Sequence, residues 1–367
     1  MKKASGRNEN KMRQTATIVI AALALGAAPL AAAQGQDDAR VRAVTRVTVD
    51  QQRERPPRVI VQDRGGREEQ SETFKKTVRI GNSGELDITN ITGNIDIKRG
   101  GGGDATIEVV KVARARSIEE AKALLPLVKV EINERPNRAE VRTMYPADHH
   151  VINHRRNVNV QVHYTITAPA GTRVSARSIS GNVRAADITG ELSLVTTSGD
   201  VQIVRGRRVT AAKTTSGTVS ISDTESDTPV EAASVSGDIL VHRVKAARME
   251  LSTISGKVVM QEVACDRIEA HSLSGDVEFI SPVMKGGRYE FNSHSGNVRL
   301  AVAGGAGYEV EANSWSGNVQ SDVALDGGGV QPAGRGPRRK SVKGVVGDGS
   351  AMVEITTFSG NVHIIKR

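Results

Sequence analysis

Hydrophobic and polar residues alternate through the C-terminal half of the chain, and a short polar corner interrupts the alternation at nearly constant intervals. The corner reads Ser or Thr, any residue, Ser, Gly, usually Asn or Asp, then Val or Ile, and it occurs nine times. Successive corner glycines are 18 to 21 residues apart, except for a last interval of 43 residues, which is interpreted as two coils with one degenerate. A period of about 20 residues is typical of a solenoid. The glycines are Gly181, Gly199, Gly217, Gly237, Gly256, Gly275, Gly296, Gly317 and Gly360.

Apolar residues keep a constant parity on both sides of each corner. They lie two and four residues after the glycine, as at Val277 and Phe279, and five and seven residues before it, as at Phe291 and Tyr289. Because alternate side chains of a strand point to opposite faces, each coil should contribute two short strands. The predicted fold of residues 173–367 is an all-β, two-sheet parallel β-solenoid with about 19 residues per coil.

The corner residues predict how each turn is held. Glycine adopts positive φ readily, and Asn or Asp tolerates turn geometry. The Ser or Thr three residues before each glycine shares the inward parity of the core. Its hydroxyl is therefore expected to bond a neighbouring hydroxyl or the turn backbone. The nine glycines are assigned a structural role in the turns.

The N-terminal region has the composition of an export signal followed by a linker. A basic start and an apolar run end in three alanines within residues 1–33, which is typical of a signal peptide. The alternative is an uncleaved membrane anchor. Residues 34–72, rich in Arg, Gln, Asp and Glu, are predicted to form a flexible charged linker.

Two further segments depart from the regular coils. Residues 73–172 are predicted to form an irregular β region, with one helix near residues 117–125 that a capping box of Ser117 and Glu120 begins. Residues 327–349 combine Gly and Pro with several Arg and Lys, so a disordered basic insertion is predicted there.

The tandem Ser-Gly-Asn/Asp-Val coils resemble the bacterial secreted "putative adhesin" family of β-solenoid domains. So do the export signal and the strand that ends Ala168-Pro169-Ala170-Gly171. The resemblance covers residues 74–367 and implies a secreted β-solenoid. It carries over no catalytic residue.

The outward position two residues before each corner glycine is the candidate binding surface, which we call the corner row. Toward the C-terminus it becomes larger and more aromatic. An exposed apolar ridge of this kind marks a partner surface, unless a loop or the N-terminal β region covers it or it caps the open end of the solenoid. Arg338 and Arg339 would add a cationic arm, which together with the aromatic residues suits an anionic amphipathic partner. The corner row is Ile179, Thr197, Thr215, Val235, Ile254, Leu273, His294, Trp315 and Phe358.

A second outward position, six residues before the glycine, repeats as glutamate and forms the predicted acidic ladder. Stacked carboxylates repel one another unless cations compensate. Two residues earlier lie Arg248, Arg267 and Arg288, which would neutralise part of the ladder. Where no Arg occupies that position, the alternative is that the glutamates form a strip that binds cations. The ladder is Glu231, Glu250, Glu269, Glu290, Glu311 and Glu354.

The sequence contains little that indicates other chemistry. The net charge is +9 and there are only nine aromatic residues, without the basic and aromatic interleaving of a nucleic-acid binder. Cys265 is the sole cysteine, so no intramolecular disulfide can form. No nucleophile elbow, metalloprotease or phosphate-loop motif occurs. His149, His150 and His154 beside Tyr145 lack the spacing of a metal site. No cofactor or metal is predicted.

These observations predict an exported, non-enzymatic protein in the periplasm, at the cell surface or secreted. Its partner would be an envelope polymer, a lipid surface or a protein, in the manner of an adhesin or scaffold. A sensor of envelope stress that binds a peptide or lipid-like ligand is one alternative. A polysaccharide-active β-helix enzyme is another, although few aromatic residues are present to stack on sugars. The ligand and the oligomeric state are left open.

Overall fold

The computed structural model describes residues 67–146, 158–327, 330–332 and 340–366. The predicted signal peptide and nearly all of the predicted linker lie outside these residues. The three histidines considered as metal ligands, and both Arg338 and Arg339, lie outside them as well.

Seven strands and two short helical segments form the N-terminal part of the described fold. Helix α1 (Ile118–Leu124) begins after Ser117, whose hydroxyl accepts a hydrogen bond from the Glu120 amide at 3.2 Å, as the predicted cap requires. A 3₁₀ turn that contains Pro126 follows at Leu125–Leu127. The strands are β1 (Glu68–Arg79), β2 (Glu85–Thr92), β3 (Ile95–Gly100), β4 (Asp104–Ala115), β5 (Lys129–Arg135), β6 (Arg138–Met144) and β7 (Val160–Pro169).

The coils follow, with a strand on each side of every corner glycine. Strands that precede a corner form one row, which we call the first row, and strands that follow a corner form the second row. The strands are β8 (Arg173–Ser180), β9 (Val183–Ala186), β10 (Glu191–Ser198), β11 (Val201–Val204), β12 (Arg208–Ser216), β13 (Val219–Ser226), β14 (Val230–Ser236), β15 (Ile239–Ser255), β16 (Val258–Gln261), β17 (Ala264–Ser274), β18 (Val277–Val283), β19 (Arg288–Ser293), β20 (Val298–Gly305), β21 (Tyr308–Ser314), β22 (Val319–Ser321), β23 (Val330–Pro332), β24 (Lys340–Val346), β25 (Ala351–Thr357) and β26 (Val362–Lys366).

Strands within each row pair in parallel with the equivalent strand of the adjacent coil. In the first row, β8 pairs with β10 and β10 with β12, and in the second row β9 pairs with β11 and β11 with β13. The long strand β15 serves both rows, because it supplies the second-row strand of one coil and the first-row strand of the next. The chain is therefore all-β with one short α-helix, as predicted.

The predicted inward positions form the core. Val277, Phe279, Tyr289 and Phe291 are all buried, and both Tyr289 and Phe291 pack their rings on Phe279 at centroid separations of 5.5 and 5.3 Å. Equivalent core residues pair in register, as Val277 does with Val298. Each coil thus covers the apolar edge of the next, which no single coil could do alone.

The N-terminal β region begins the stack. Strands β2 and β3 pair in parallel with β8 and β9, so residues 85–98 form the coil next to residues 173–186. On the far side of that coil, β6 and β7 pair in parallel with β2 and β3. Strands β1, β4 and β7 pair antiparallel, as do β5 and β6, and α1 packs on β1 and β4. These antiparallel elements cover the first coil.

A regular solenoid of the kind predicted pairs each coil with the next along the chain, and the last two coils correct the prediction in this respect, because they do not stack in chain order. Strand β25 lies between β19 and β21, and β26 lies between β20 and β22. The coil formed by residues 351–366 is therefore inserted between the coils formed by residues 288–302 and 308–321. We call it the inserted coil.

The long interval between the last two corner glycines holds a strand pair rather than a degenerate coil. Strand β24 pairs antiparallel with β21 and with β23, and Val342 of β24 is buried. Residues 340–346 are thus a strand where a disordered insertion was expected. An uncovered β21 would expose a row of unpaired amides and carbonyls, and β24 pairs with that edge.

The corner glycines stack directly on one another, and the stack leaves no room for a side chain. A Cβ on Gly199 would lie 2.4 Å from the carbonyl oxygen of Gly181, and the φ of Gly199 is +138°. The order of contact continues from Gly296 to Gly360 and then to Gly317, which again places the inserted coil between its neighbours.

Two ladders of hydrogen bonds hold the corner. At eight of the nine corners, the hydroxyl three residues before the glycine donates to the glycine carbonyl of the adjacent coil, as Thr214 does to Gly199 at 2.9 Å. At the first corner, the buried Ser178 hydroxyl has no partner among the described residues. The Asn or Asp after the glycine accepts from the backbone amide of the equivalent residue one coil on, as Asp200 does from Thr218 at 2.9 Å. Of the two partners expected for the inward hydroxyls, the turn backbone is the one they use.

Charges alternate in sign at a second corner, where each second-row strand ends. Asp187, Arg205, Asp223, Arg243 and Glu262 all have positive φ, between 51° and 61°. Arg205 bonds both carboxylate oxygens of Asp187, at 2.5 and 2.7 Å, and Arg243 donates to Asp223 at 2.6 Å. These hydrogen bonds lower the pKa of Asp187 and of Asp223. The first four residues of the column therefore form two ion pairs, while Glu262 lies 4.0 Å from His242 Nε2.

We predict that Gly199→Ala destabilises the fold by about 2–3 kcal/mol, because the new methyl group overlaps the Gly181 carbonyl and the chain must shift. Urea denaturation measures the change. Gly101→Ala is the control, since a Cβ there meets no atom within 4 Å. Equal stability of the two variants would contradict the stacked corner.

We predict an acid-sensitive contribution from the alternating column. The folded-state pKa of Asp187 and Asp223 lies below the ordinary value of 3.8, so the unfolded chain takes up these protons first as pH falls. The stabilisation is complete above that value and is lost as pH falls through the lowered pKa.

Thermal melts from about pH 5 to about pH 2 test this, and the double variant Asp187→Asn, Asp223→Asn should show a shallower loss of stability with acid. Asp227→Asn is the control, because the Asp227 carboxylate is 3.9 Å from its nearest guanidinium nitrogen, on Arg207. An unchanged acid slope in the double variant would refute the assignment.

Candidate functional site

The corner row lies on the surface as its parity predicts, and it ends in a stack of three aromatic rings. In spatial order the last four residues are Leu273, His294, Phe358 and Trp315, because the inserted coil places Phe358 between the other two aromatic residues. Phe358 and Trp315 are 48% and 44% exposed, which is high for side chains of this size. The chain order had placed Phe358 last.

The three rings are nearly parallel. His294 and Phe358 are 4.9 Å apart between centroids with an interplanar angle of 3°, and Phe358 and Trp315 are 6.2 Å apart at 12°. Phe358 therefore lies between the other two rings. We call His294, Phe358 and Trp315 the aromatic ridge.

A cleft of about 510 Å³ runs along the ridge on the outward face of the first row. The ridge forms one wall. Its floor is a line of polar side chains four residues before successive corner glycines: His271, Asn292, Thr356 and Asn313. Adjacent parallel strands are about 4.8 Å apart, so the floor offers one polar group per coil at that spacing.

Asn313 is the most buried member of the floor. It is only 7% exposed, and its Oδ1 atom is buried without a hydrogen-bond donor among the described residues. Its Nδ2 donates to Glu311 Oε1 at 3.4 Å. A buried acceptor without a partner costs about 1–3 kcal/mol of stability.

The predicted acidic ladder lies beside the floor on the same outward face of the first row, and all six of its glutamates pair in register. The spatial order again follows the inserted coil, with Glu354 between Glu290 and Glu311. Side-chain amides link the ladder to the floor, since Asn292 Nδ2 donates to Glu290 Oε1 at 2.7 Å. Glu354 makes no ion pair within the described part of the chain.

Cations compensate the ladder unevenly. Arg248 and Arg267 both reach Glu269, at 3.2 and 2.8 Å, and Lys213 reaches Glu231 at 2.5 Å. Arg288 pairs in register with Arg267, yet it forms no ion pair with a described carboxylate. At the end of the ladder beside the cleft, Lys343 pairs in register with Glu311 and forms an ion pair with Glu309 at 3.0 Å, so cations lie there as well.

The structure brings together only part of the predicted site. His294, Phe358 and Trp315 form the ridge, Leu273 lies one coil away, and Ile254, two coils away, is half-buried. Arg338 and Arg339 lie outside the described residues. Within the described ranges, no group of three or more His, Cys, Asp and Glu side chains is placed to hold a metal.

The floor was not predicted. Its residues share outward parity, four positions before each glycine, but no common chemical type. A search of every outward position near the aromatic end of the corner row would have found His271, Asn292, Thr356 and Asn313.

The profile of the Toastrack DUF4097 family matches residues 67–262 and 213–365 of the chain. No curated protein matches it in sequence. In the part of the chain that the structure describes, no helix has both the length and the apolar character needed to cross a membrane.

Three solved structures are similar at low identity. A "putative adhesin" from Bacteroides fragilis is 13% identical, with 81% of this chain and 97% of that chain covered and a TM-score of 0.36. A "putative cell adhesion protein" from Clostridium sporogenes is 10% identical, with 81% and 100% covered and a TM-score of 0.19. A "putative lipid binding protein" from Parabacteroides distasonis is 10% identical, with 81% and 96% covered and a TM-score of 0.46. At these TM-scores the three structures give no basis for inferring the function of this chain.

We predict that the ring order of the ridge is visible in double-mutant cycles. Alanine substitutions of Phe358 and Trp315 should couple by about 0.5–1.5 kcal/mol in unfolding free energy, because the two rings stack. His294 and Trp315 should couple by close to zero, since Phe358 separates them. Coupling only between His294 and Trp315 would show that these two rings are neighbours, as in the order of the sequence, and would contradict the inserted coil.

Proposed function

The chain belongs to the Toastrack DUF4097 family, and from that premise we propose that it is an exported, non-enzymatic protein whose aromatic ridge and cleft bind a partner at the cell envelope. The observation that carries the proposal is the exposed stack of His294, Phe358 and Trp315 beside a cleft of about 510 Å³. Exposed apolar surface of this kind beside a concave polar floor is typical of binding sites.

The position of β24 supports a binding role over a capping role for the ridge. A hydrophobic cap protects the open edge of a terminal strand. Here β24 already pairs with β21 along its length, from Tyr308 with Val346 to Ser314 with Lys340. The ridge lies in the corner, at the residue that directly follows the last residue of β19, β25 and β21, and so outside the paired edge. Its exposure is therefore available to a partner.

Two features support binding without catalysis. The sequence contains none of the nucleophile, metal or phosphate-loop motifs of the common hydrolases and transferases. Two of the carboxylates nearest the cleft accept hydrogen bonds from floor amides, Glu290 from Asn292 and Glu311 from Asn313. A polysaccharide-cleaving enzyme needs an acid and a base that face the substrate.

The N-terminal sequence supports export. Its basic start, apolar run and Ala31-Ala32-Ala33 have the order of a cleaved signal peptide. With Cys265 as the sole cysteine, the protein would rely on its core and corner ladders for stability in an oxidising compartment. The proposed location is the periplasm, the cell surface or the medium.

We also propose a finer architecture for the coils. The parallel register within the first and second rows, together with the stacked glycines, supports a two-sheet parallel β-solenoid for the coils. In such a rod, successive coils repeat the same outward positions. A surface of this type suits an extended partner.

We predict that the purified protein is retained by an envelope fraction and that Trp315→Ala reduces the retained amount at least about fivefold, the loss expected for a buried aromatic anchor. Ile179→Ala is the matched control, because Ile179 occupies the same position at the far end of the corner row and is 54% exposed. Melting temperatures of both variants should stay close to that of the unchanged protein.

Two results would overturn the proposed function. One is equal retention of Trp315→Ala and the unchanged protein. The other is a large fall in melting temperature of Trp315→Ala with retention unaffected, which would assign the ridge to stability.

A further inference from the structure

We propose that the aromatic ridge inserts into the surface of a phospholipid bilayer, so that the stack of coils lies along the membrane. This inference rests on the proposed function and names the partner of the same site. Three observations carry it: a continuous row of exposed apolar side chains at a protruding corner, a strip without charged residues around the aromatic part of that row, and a lysine at the end of the strip.

The first observation is the row itself. Leu273 is exposed one coil away from His294, so four consecutive coils present an apolar or aromatic side chain at the same corner. Adjacent coils are about 4.8 Å apart, so the row extends roughly 14 Å along the stack. It lies where the first-row strands end and the chain turns, which is a protruding part of each coil. Trp, Phe and Leu are the side chains that proteins place in the interfacial layer of membranes.

The second observation is the absence of charged residues around the ridge. In each of the three coils that form it, the eight residues 291–298, 355–362 and 312–319 contain no Asp, Glu, Lys or Arg. In each of the six preceding coils the equivalent eight residues include a charged one, as Lys257 and Asp276 show. Insertion into a bilayer needs such a strip, because removing a charged side chain from water costs several kcal/mol. An interface with another protein does not need it, since opposite charges on the partner can compensate.

The charged rows that border the strip lie beyond the depth of insertion. On one side the ladder glutamates come four residues before the ridge, as Glu354 does before Phe358, which is roughly 13 Å along a strand. On the other side Arg299 comes five residues after His294. Interfacial side chains bury about 5–10 Å into the boundary between headgroups and acyl chains. The rings therefore enter the bilayer while the carboxylates of the ladder stay in water.

The third observation is the position of Lys340. It pairs in register with Ser314, the residue before Trp315, and its Nζ donates to Asn318 Oδ1. A cation therefore lies at the outer end of the ridge. A lysine beside an inserted ring extends its charged end toward the headgroups, where the lipid phosphates lie. Zwitterionic phospholipids carry that phosphate as well as anionic ones, so a bilayer without net charge is sufficient.

Quenching of tryptophan fluorescence tests the insertion directly, because Trp315 is the sole tryptophan of the chain. The protein is mixed with phosphatidylcholine vesicles whose acyl chains carry bromine close to the headgroup, or with the same vesicles without bromine. We expect a blue shift of the emission with both, and loss of emission only with the brominated lipid. Vesicles that bind through another segment of the chain leave Trp315 in water and do not quench it.

Two variants and one matched control sharpen the test. Phe358→Ala removes the central ring and should raise the lipid concentration for half-maximal quenching about tenfold. Asn361→Asp places a carboxylate inside the strip and should raise it at least as much. Its melting temperature should stay unchanged, because aspartate keeps the corner hydrogen bond, as Asp200 does with the Thr218 amide. Asn182→Asp makes the same change at a corner far from the ridge and should leave quenching unaffected.

Three results would overturn the inference: no quenching by brominated lipid, unchanged quenching in both Phe358→Ala and Asn361→Asp, or an equal loss of quenching in Asn182→Asp. The proposed function is judged separately, by retention on the envelope fraction after its lipids are extracted. If the extracted fraction still retains the unchanged protein but not Trp315→Ala, the ridge binds a protein or polymer and only the bilayer is excluded. If Trp315→Ala is retained as well as the unchanged protein before and after extraction, the proposed function fails too.

Discussion

The close approach of glycine to glycine at the corner is the contact on which the rest of this structure depends. A carbonyl oxygen of one coil occupies the space where the next coil would carry a Cβ, at 1.9 Å for Gly360 on Gly296. That proximity lets a hydroxyl from the same turn reach the glycine carbonyl of the adjacent coil and lets an Asn or Asp cap the next amide. Backbone groups at a turn must be paired when they are buried, and the corner pairs them by repetition. The stacked corners fix the register of the strands, and that register places the core and every outward row.

The inserted coil assembles the candidate binding site on this repeating structure. It brings Phe358 between His294 and Trp315, and Glu354 between Glu290 and Glu311. Without it, the ridge would have a gap in the middle and the floor would lack Thr356. The same topology leaves β21 as the outermost coil strand, where β24 pairs with it. One rearrangement of the coil order therefore both closes the end of the stack and assembles the candidate binding surface.

Much of this architecture could be predicted from the sequence, because period and parity are local properties. From residue 173 onward the corner glycines marked every coil, and the residues two and four positions after them form the core. The coil order could not be predicted in the same way. All corners carry nearly the same hexapeptide, so nothing local shows that Asn361 contacts Asn297 and Asn318. The cleft floor was missed in the sequence for the opposite reason, since its residues share a position but no chemical type.

Disulfide trapping measures the coil order most directly. Neighbouring strands bring equivalent Cα atoms to about 4.8 Å, within the range that a disulfide spans. In a Cys265→Ala background, the outward ladder positions can be changed to cysteine in pairs. We predict rapid oxidation of the cysteine pair at positions Glu290 and Glu354 and of the pair at Glu354 and Glu311. No intramolecular disulfide should form between cysteines at Glu290 and Glu311. Efficient bonding of Glu290→Cys to Glu311→Cys would show that the coils stack in chain order and would contradict the account.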